Sequence, residues 1–309
     1  MPYSHVPQLT DSEQTAPDST VSELAVSELA VSGPTVSGPS AGALDIRLIV
    51  TDMDGTLLDD DKRVPDGLWD TLARLRERGV LFSPASGRQY ATLAAEFAEV
   101  ADGMVFIAEN GTYVVRDGQE LSSDPLDPTV VTRVVEAVRR LAGDGVDLGA
   151  VVCGKRSAYV ERTDEAFLAE VRSYYLRCET VEDLTAVDDD VIKVALFAFG
   201  SAEETTAPAL APFADTHKVV VSGEHWVDVM NRTANKGAAL RRLQAELGVT
   251  PAQTLVFGDY LNDLEMLDAA DWSFAMANAH PEVVRRARHL APSNNDDGVL
   301  RTITRLLDL

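Results

Sequence analysis

Two aspartates lie two positions apart directly after the first strongly apolar run of the chain. They are Asp52 and Asp54, in the stretch RLIVTDMDGTLL. A short continuous apolar run predicts a strand that is buried on both faces of a parallel sheet, and ligands bind beyond the carboxyl ends of such strands. Asp52 could then attack as a nucleophile or ligate a hard cation, and Asp54 could act as an acid and a base. The alternative interpretation of the pair is a solvated acidic turn.

A second group of acids follows another apolar run late in the chain, in TLVFGDYLND. Magnesium prefers oxygen ligands and usually keeps water and substrate phosphate in its coordination shell. We therefore expect Asp259 to be a metal ligand. We expect Asp263 to be a ligand or to hold one in place, unless it serves only as the N-cap of the next helix. Together with Asp52 and Asp54, these acids predict a Mg²⁺ site at neighbouring strand ends.

Two further positions have the chemistry to bind an anion. Ser86 and Gly87 follow the apolar run VLFSPA, where a hydroxyl group and free backbone N–H groups at a helix N-terminus can cradle a phosphate. Ser-Gly is also a common turn, which is the alternative interpretation. Lys236 begins the helical stretch KGAALRRLQAELG, where a positive charge is unfavourable to the helix dipole. A bound anion would explain this lysine, and a surface position is the alternative.

The elements that must position these residues alternate between strands and helices. Residues 44–121 and 231–309 both show this alternation, with helices predicted over 66–78, around 89–100 and over 281–290. Alternation of this kind predicts a doubly wound α/β fold with a parallel sheet. The closing stretch DDGVLRTITRLLDL has the pattern of a final amphipathic helix.

The middle of the chain, residues 122–230, has a different pattern. TVVTRVVEAVRRLAG and DEAFLAEVRSYYLR are predicted helices, whereas AVVCGK, SAYVER, VIKVALFAFG and KVVVSGEHWVDVM are predicted strands. These elements suffice for an independent α+β unit of about 100 residues inserted into the α/β domain. Clefts between two such units are common binding sites.

The first 43 residues form a separate segment. They carry five acids and no lysine or arginine, and they contain the short repeats VSELAVSELA and VSGPTVSGPS. Serine, threonine, proline and glycine dominate, so the few aliphatic side chains cannot offset the entropy of ordering. We predict that residues 1–43 are a disordered tail, with a docking peptide as the alternative.

Composition excludes several classes of protein. The 309 residues include 27 Lys and Arg against 50 Asp and Glu, a net charge of −23. Nucleic acid and anionic membranes need a positive footprint, so neither is an expected partner. No apolar run approaches the ~18 residues of a membrane span, and no signal-peptide pattern opens the chain. We expect a cytoplasmic protein.

The motifs DMDGT, SGR, ANKGAAL and GDYLND, in this order, resemble those of the haloacid dehalogenase superfamily of phosphatases, and the chain is similar to its Cof-type branch. The stretches ENGTYV, SFAMANAHPEV and SNNDDGV resemble the same branch, so the resemblance covers residues 44–309. Ala277 departs from it, because the branch usually has glycine there. The resemblance implies an α/β core with an inserted α+β cap. The cap must lie between Ser86 and Lys236, since the stretch from Asp54 to Ser86 has room only for a flap and one helix.

The resemblance also implies a mechanism. Asp52 would attack phosphorus and form an aspartyl-phosphate, and Asp54 would protonate the leaving group and then deprotonate the attacking water. Mg²⁺ would be held by carboxylates and by the backbone carbonyl of Asp54, with Asp263 as a ligand or as the group that orients metal-bound water or the lysine. The residues that the resemblance places around the phosphoryl group and the metal are Asp52, Asp54, Ser86, Gly87, Lys236, Asp259, Asn262 and Asp263.

These features predict a Mg²⁺-dependent phosphatase of small phosphorylated metabolites, with sugar phosphates, FMN and pyridoxal phosphate all open as substrates. A hexose-phosphate mutase on the same scaffold is one alternative. A phospho-acceptor signalling module is another, although an acid/base beside the nucleophile and a cap domain both count against it. The complete set of acids disfavours a binding protein without turnover.

The histidines and cysteines predict no rival site. His225 and Trp226 lie near the expected junction of core and cap, where they could contact a leaving group, although packing is the interpretation that we favour. Cys153 and Cys178 lack metal-ligand spacing and are too few for a disulfide framework, so we expect packed thiols.

Overall fold

The apolar runs form strands and the amphipathic stretches form helices in a computed structural model that describes residues 44–222 and 224–309. The predicted tail, residues 1–43, lies outside the described residues. The strands are β1 Leu48–Asp52, β2 Leu81–Ala85, β3 Val105–Ala108, β4 Tyr113–Arg116, β5 Gln119–Ser123, β6 Leu148–Gly154, β7 Ala158–Val160, β8 Cys178–Thr180, β9 Val191–Ala198, β10 His217–Val221, β11 Trp226–Asn231, β12 Thr254–Gly258, β13 Trp272–Met276 and β14 His289–Ala291. The α-helices are α1 Leu68–Glu77, α2 Tyr90–Glu96, α3 Pro128–Gly143, α4 Glu165–Tyr174, α5 Ala202–Thr205, α6 Ala207–Ala214, α7 Lys236–Leu247, α8 Leu264–Leu267, α9 Pro281–Arg286 and α10 Gly298–Leu307.

Eight strands form one sheet, here called the core sheet, in the order β14-β13-β12-β1-β2-β3-β4-β5. The strands from β14 to β3 are parallel, and β4 and β5 continue the edge as an antiparallel hairpin. Strand β1 lies in the middle, and all five of its residues are buried. This sheet confirms the predicted α/β fold.

Successive side chains of a strand point to opposite faces of the sheet. Both faces of the core sheet are apolar, so helices cover both. On one face, Ile49 of β1 packs in a cluster with α1 and α10. On the other face, Leu48 and Val50 of the same strand pack with α7 and α8. The fold is therefore doubly wound, as the sequence predicts.

The second sheet, here called the cap sheet, has six strands in the order β10-β11-β9-β6-β7-β8. Its pairs are antiparallel except for β7 and β8. All of its strands lie between β5 and α7 in the chain, with α3 and α6 in the cluster on one face and α4 in the cluster on the other. The domain boundaries at residues 122 and 231 stay a prediction.

The structure corrects one predicted element. The helix expected over 281–290 ends at Arg286, and His289 lies in β14. Ala287 is extended, which ends the helix, and β14 then pairs with β13. The ring of His289 stacks at 4.9 Å on Phe274. Aromatic contact across the sheet edge therefore overrides the helical pattern of this stretch.

The expected flap after Asp54 is a tight turn in which the N–H of Asp59 donates to the carbonyl of Arg63 at 3.1 Å.

Among the described residues, no helix has both the length and the apolar character needed to cross a bilayer. The cytoplasmic location stays a prediction.

Candidate active site

Three neighbouring strands of the core sheet bring the predicted motifs to one edge. Strand β1 ends at Asp52, which pairs in register with Ala85, the residue before Ser86. On the other side, β12 runs parallel to β1 and ends at Gly258, directly before Asp259. Motifs that are about 200 positions apart in the chain therefore meet because their strands are adjacent and parallel.

Three carboxylates and one ammonium group form the centre of the site. Oxygen atoms of Asp52, Asp259 and Asp263 lie within 4.8 Å of one another. Lys236, which is fully buried, donates to a carboxylate oxygen of Asp52 and, at 2.7 Å, to Oδ1 of Asp263. The surface-lysine alternative for Lys236 is therefore wrong, because its ammonium group is enclosed by acids.

The electrostatics of this cluster are unbalanced. Burial, together with the charges of Asp263 and Asp259, raises the pKa of Asp52 well above its ordinary value, against the opposing charge of Lys236. Burial also raises the pKa of Asp259. For Lys236, burial lowers the pKa, but the charges of Asp263 and Asp52 outweigh it and raise the pKa overall. The site holds more negative charge than its one lysine compensates.

The donor set fits Mg²⁺. Three carboxylates and one ammonium leave two negative charges uncompensated, which a divalent cation would balance, and hard oxygen donors are what Mg²⁺ prefers. Asp52, Asp259 and Asp263 would supply carboxylate oxygens. The side chain of Asp54 does not join this cluster, so among the predicted metal ligands Asp54 could contribute only its backbone carbonyl.

The backbone packs tightly around these carboxylates. Gly55 has φ +80°, and a Cβ there would lie 2.6 Å from Oδ2 of Asp259. The hydroxyl group of Thr56 donates to Oδ1 of Asp259 at 2.6 Å. The motif after β1 therefore needs a glycine, and it fixes the carboxylate at the end of the neighbouring strand.

Asp263 holds the loop after β12 rather than capping the next helix. Its Oδ2 accepts hydrogen bonds from the backbone N–H groups of Asp259 and Tyr260, at 3.1 and 3.2 Å. It makes no side-chain cap bond to α8. With Oδ1 bound to Lys236, both oxygens of Asp263 are used to position other parts of the site.

Asp54 faces two cations instead of the acidic cluster. Arg88 donates to both carboxylate oxygens, at 2.7 and 3.1 Å, and Lys62 lies 2.9 Å from Oδ1. Burial raises the pKa of Asp54, but the hydrogen bonds from Arg88 and Lys62 outweigh it, so the pKa lies below its ordinary value. In this arrangement Asp54 is held as a carboxylate by its two cations.

Hydrogen bonds fix the loop after β2, where the sequence predicts an anion cradle. The Ser86 hydroxyl accepts from the N–H of Arg88 at 3.2 Å, and the Ser86 carbonyl accepts from the N–H of Asn110 at 2.9 Å. A Cβ on Gly87 would lie 3.1 Å from the amide of Asn110, and Asn262 donates to that same amide at 3.2 Å. Asn110 therefore links the two halves of the proposed phosphate site.

A cleft of 790 Å³ opens beside this loop and extends to the cap sheet. The predicted site residues that line it are Asp54, Ser86, Gly87 and Asn262. His225 and Trp226 line it from the cap side, and Trp226 also packs in the cluster that contains α4, so a contact of either with a leaving group stays a prediction. Cys153 is buried and free, with its thiol pKa raised by burial, and Cys178 is free and half-buried.

Sequence reasoning missed a buried ion pair between core and cap. Lys193 of β9 lies 2.6 Å from Oε2 of Glu109 and 4.0 Å from Oδ2 of Asp228 on β11. The contact with Glu109 is an ion pair by distance but lies outside hydrogen-bond geometry. The available signal was a single charge within an apolar strand, in VIKVALFA and in WVDVM. A charge buried in this way must be paired or must serve a function.

Comparison with known proteins gives the family. Residues 49–303 match the model of the haloacid dehalogenase-like hydrolases, so the chain belongs to this family. It is 34% identical over 267 residues to 5-amino-6-(5-phospho-D-ribitylamino)uracil phosphatase YbjI of Escherichia coli, covering 85% of this chain and 97% of that protein. A solved structure from Eubacterium rectale has a TM-score of 0.77 at 28% identity and covers 85% of this chain and 100% of that one. The subclass IIB sugar phosphatase BT4131, at 20% identity, has a TM-score of 0.68 over 84% of this chain and 98% of that one, which shows the shared fold.

The predicted family, fold and class of activity are therefore confirmed. The protein is a phosphoric monoester hydrolase of the haloacid dehalogenase superfamily. The phospho-acceptor alternative is set aside, because the relatives are hydrolases.

Proposed function

We propose that this protein hydrolyses phosphate monoesters in a Mg²⁺-dependent reaction that passes through a phosphoryl group on Asp52. The observation that carries the proposal is the convergence of Asp52, Asp259, Asp263 and Lys236 in one cluster beside the cradle at Ser86. Phosphoryl transfer depends on alignment and on neutralising charge; the cluster supplies the alignment and one ammonium group, and a bound Mg²⁺ would supply the remaining positive charge.

In the first step, a carboxylate oxygen of Asp52 attacks phosphorus, forming a new P–O bond while the ester oxygen leaves. Lys236 orients this carboxylate and its charge opposes the burial that raises the pKa of Asp52, while Asp263 holds the lysine in place. Ser86, the N–H of Gly87 and Asn262 line the cradle and would bind the phosphoryl oxygens. When bound, Mg²⁺ would supply the positive charge that the acids of the site lack.

Asp54 would protonate the leaving oxygen in that step. In the second step it would take a proton from water, which attacks phosphorus and breaks the bond to Asp52. Arg88 and Lys62 hold Asp54 as a carboxylate, which suits this second role. Before Asp54 can protonate the leaving oxygen, Arg88 and Lys62 must release its carboxylate. An arriving phosphate dianion would compete with Asp54 for both cations. Substrate binding would thereby allow Asp54 to take up its proton.

The substrate that we propose is a phosphorylated metabolite of the size named for the Escherichia coli relative, whose substrate joins a phosphate to a ring through a ribityl chain. A cleft of 790 Å³ is large enough for a ligand of that class. Sugar phosphates, FMN and pyridoxal phosphate belong on the same test panel.

The test is phosphate release from such a panel with EDTA and with added Mg²⁺. We expect turnover to be lost in EDTA and restored by Mg²⁺, and Asp52→Asn to be inactive in both. Asp102→Asn is the matched control, because Asp102 is exposed and does not line the cleft. Full activity in EDTA, or retained activity in Asp52→Asn, would contradict the proposal.

A further inference from the structure

One face of the cap sheet forms the wall of the cleft opposite the phosphate cradle. Side chains alternate along a strand, so Lys193 and Phe197 of β9 share a face, as do Trp226 and Asp228 of β11. All four line the cleft. Their neighbours on the other face, such as Val194, pack against the cluster that contains α3. Alternate residues of β9 and β11 therefore form the face of the cap sheet that lines the cleft.

The upper part of this wall is aromatic. Trp226 lies directly opposite Phe197 in the sheet register, with ring centroids 5.1 Å apart. Tyr174, at the end of α4, meets Trp226 edge to face at 5.2 Å and is half exposed. All three residues line the cleft; Phe197 and Trp226 are buried, and the half-exposed ring of Tyr174 presents an apolar surface to whatever is attached to the phosphate. Flat rings stack on such surfaces.

The lower part of the wall is polar and joins the phosphate cradle. Lys193 is almost fully buried between Glu109 and Asp228, with its ammonium group 5.6 Å from the ring centroid of Tyr175. The backbone N–H of Glu109 donates to the carbonyl of Arg88, within the cradle, at 3.0 Å. A group between the cradle and the aromatic rings therefore meets both hydrogen-bond donors and acceptors.

The charge of the wall is negative. Three acids line the cleft from the cap side: Glu170, Glu224 and Asp228. The lysine that lines the cleft from the same side is Lys193. Lys193 is already matched by Glu109, so it offers no spare positive charge to a ligand. A leaving group that carried a second phosphate or a carboxylate would be repelled by these acids and would find no cation on the cap to balance it.

We propose that the cap wall selects phosphate esters whose leaving group is a flat ring, either uncharged or bearing an amine, and that it excludes leaving groups with a second anionic group. This inference rests on the proposed phosphatase function and names its substrate class. The aromatic rings recognise the ring face, and the polar floor at Lys193 and Asp228 recognises its edge or the chain that carries the phosphate. A bisphosphate intermediate, which a hexose-phosphate mutase needs, is disfavoured by the same acids.

The first test compares riboflavin 5′-phosphate with ribitol 5-phosphate, which have the same phosphorylated chain with and without a ring. We expect kcat/KM to be at least about tenfold higher for the ring compound, in line with stacking on aromatic side chains. Tyr174→Ala should reduce this preference about fivefold or more, by lowering kcat/KM for the ring compound more than for ribitol 5-phosphate. Leu176→Ala, at an exposed position that does not line the cleft, is the control and should change neither. Equal kcat/KM for both esters in the wild type would overturn the proposal.

The second test compares glucitol 6-phosphate with 6-phosphogluconate, which differ by a terminal carboxylate. We expect kcat/KM to be at least about tenfold lower for the carboxylate, and the double variant Glu170→Gln, Glu224→Gln to raise its relative value about threefold or more. Glu136→Gln, on α3 and outside the cleft lining, is the matched control and should leave the ratio unchanged. Equal turnover of the two esters by the wild type would contradict charge exclusion.

A binding measurement separates this inference from the proposed function. Riboflavin has the ring and no phosphate, and stacking on Tyr174 should quench its fluorescence in the full-length protein with Mg²⁺. Quenching that Tyr174→Ala weakens supports ring recognition even if no ester is hydrolysed, an outcome that would contradict the phosphatase function alone. Hydrolysis of ribitol 5-phosphate without riboflavin binding would overturn the inference and leave the phosphatase function intact.

Discussion

At the scale of single residues, the site is organised by buried charge that the protein alone does not balance. Asp52 is almost fully buried beside Asp259 and Asp263, and one lysine serves all of them. Buried charge of one sign is costly to fold, so a site of this kind lowers the stability of the metal-free protein. It also gives the site its affinity for a divalent cation.

We expect Asp52→Asn to melt at a higher temperature than the wild type in EDTA. Burial raises the pKa of Asp52 above its ordinary value of 3.8. The folded state therefore favours the protonated form of Asp52. The resulting gain in unfolding free energy is fully present below about pH 3.8 and is lost as the pH rises through the pKa of Asp52 in the folded state. The asparagine variant loses none of this stability, so the difference in melting temperature should grow as the pH rises above about 3.8, at about 2–4 °C per kcal/mol. Calorimetry with EDTA and with Mg²⁺ tests it, and Mg²⁺ should stabilise the wild type more than the variant. A variant that melts below the wild type in EDTA would mean that the ion pair with Lys236 outweighs the burial of Asp52.

Asp54 allows a test that depends on the leaving group. A sugar alkoxide needs a proton to leave, and general acid catalysis contributes ~10²–10⁴-fold, whereas nitrophenolate leaves without help. Asp54→Asn keeps the backbone carbonyl and the side-chain volume. It should therefore slow single-turnover phosphorylation of Asp52 far more with a sugar phosphate than with nitrophenyl phosphate. Equal losses with both substrates would remove the acid/base role.

At the scale of elements, the site depends on close contacts between helices and loops. Helix α7 begins at Lys236, and a Cβ on the next residue, Gly237, would lie 2.1 Å from the carbonyl oxygen of Glu265 on α8. This glycine lets the lysine approach the acids. A larger residue would push the start of α7 away from them.

We expect Gly237→Ala to cost about 1–3 kcal/mol of unfolding free energy, as overpacking does, and to lower kcat/KM because Lys236 moves. Gly143→Ala is the matched control, since it lies at the end of α3 with no atom within 4 Å of the new Cβ. It should be neutral or stabilising by about 0.5–1 kcal/mol. Urea denaturation measures both, and equal effects of the two changes would contradict the packing argument.

The elements also show how far the sequence predicts this molecule. Asp52 and Asp259 could be predicted as one site because both follow buried parallel strands, and the ends of such strands meet at one edge. The helix expected through His289 was wrong at its end, because pairing with β13 decides that stretch and is not local. The role of Lys193 was missed for the same reason, since its partner Glu109 lies in the turn after β3, far from Lys193 in the chain. Local patterns predict strand ends, whereas contacts between sheets require the fold.

At the scale of the whole molecule, every residue of the proposed site lies between Asp52 and Asp263, and the family match begins at residue 49. We therefore expect a protein of residues 44–309 to keep kcat/KM within tenfold of the full chain. A larger loss, which is more than ~1.4 kcal/mol of transition-state stabilisation, would give residues 1–43 a part in catalysis.

We propose that the phosphoryl group passes through Asp52. The most direct measurement is acid quenching of Asp54→Asn protein during turnover of nitrophenyl phosphate with Mg²⁺, followed by peptide mass spectrometry. Without its base this variant should accumulate the intermediate, so we expect one phosphoryl group on Asp52 that is absent when EDTA replaces Mg²⁺. A phosphoryl group on another residue, or product formation with none on the protein at any time, would contradict the account.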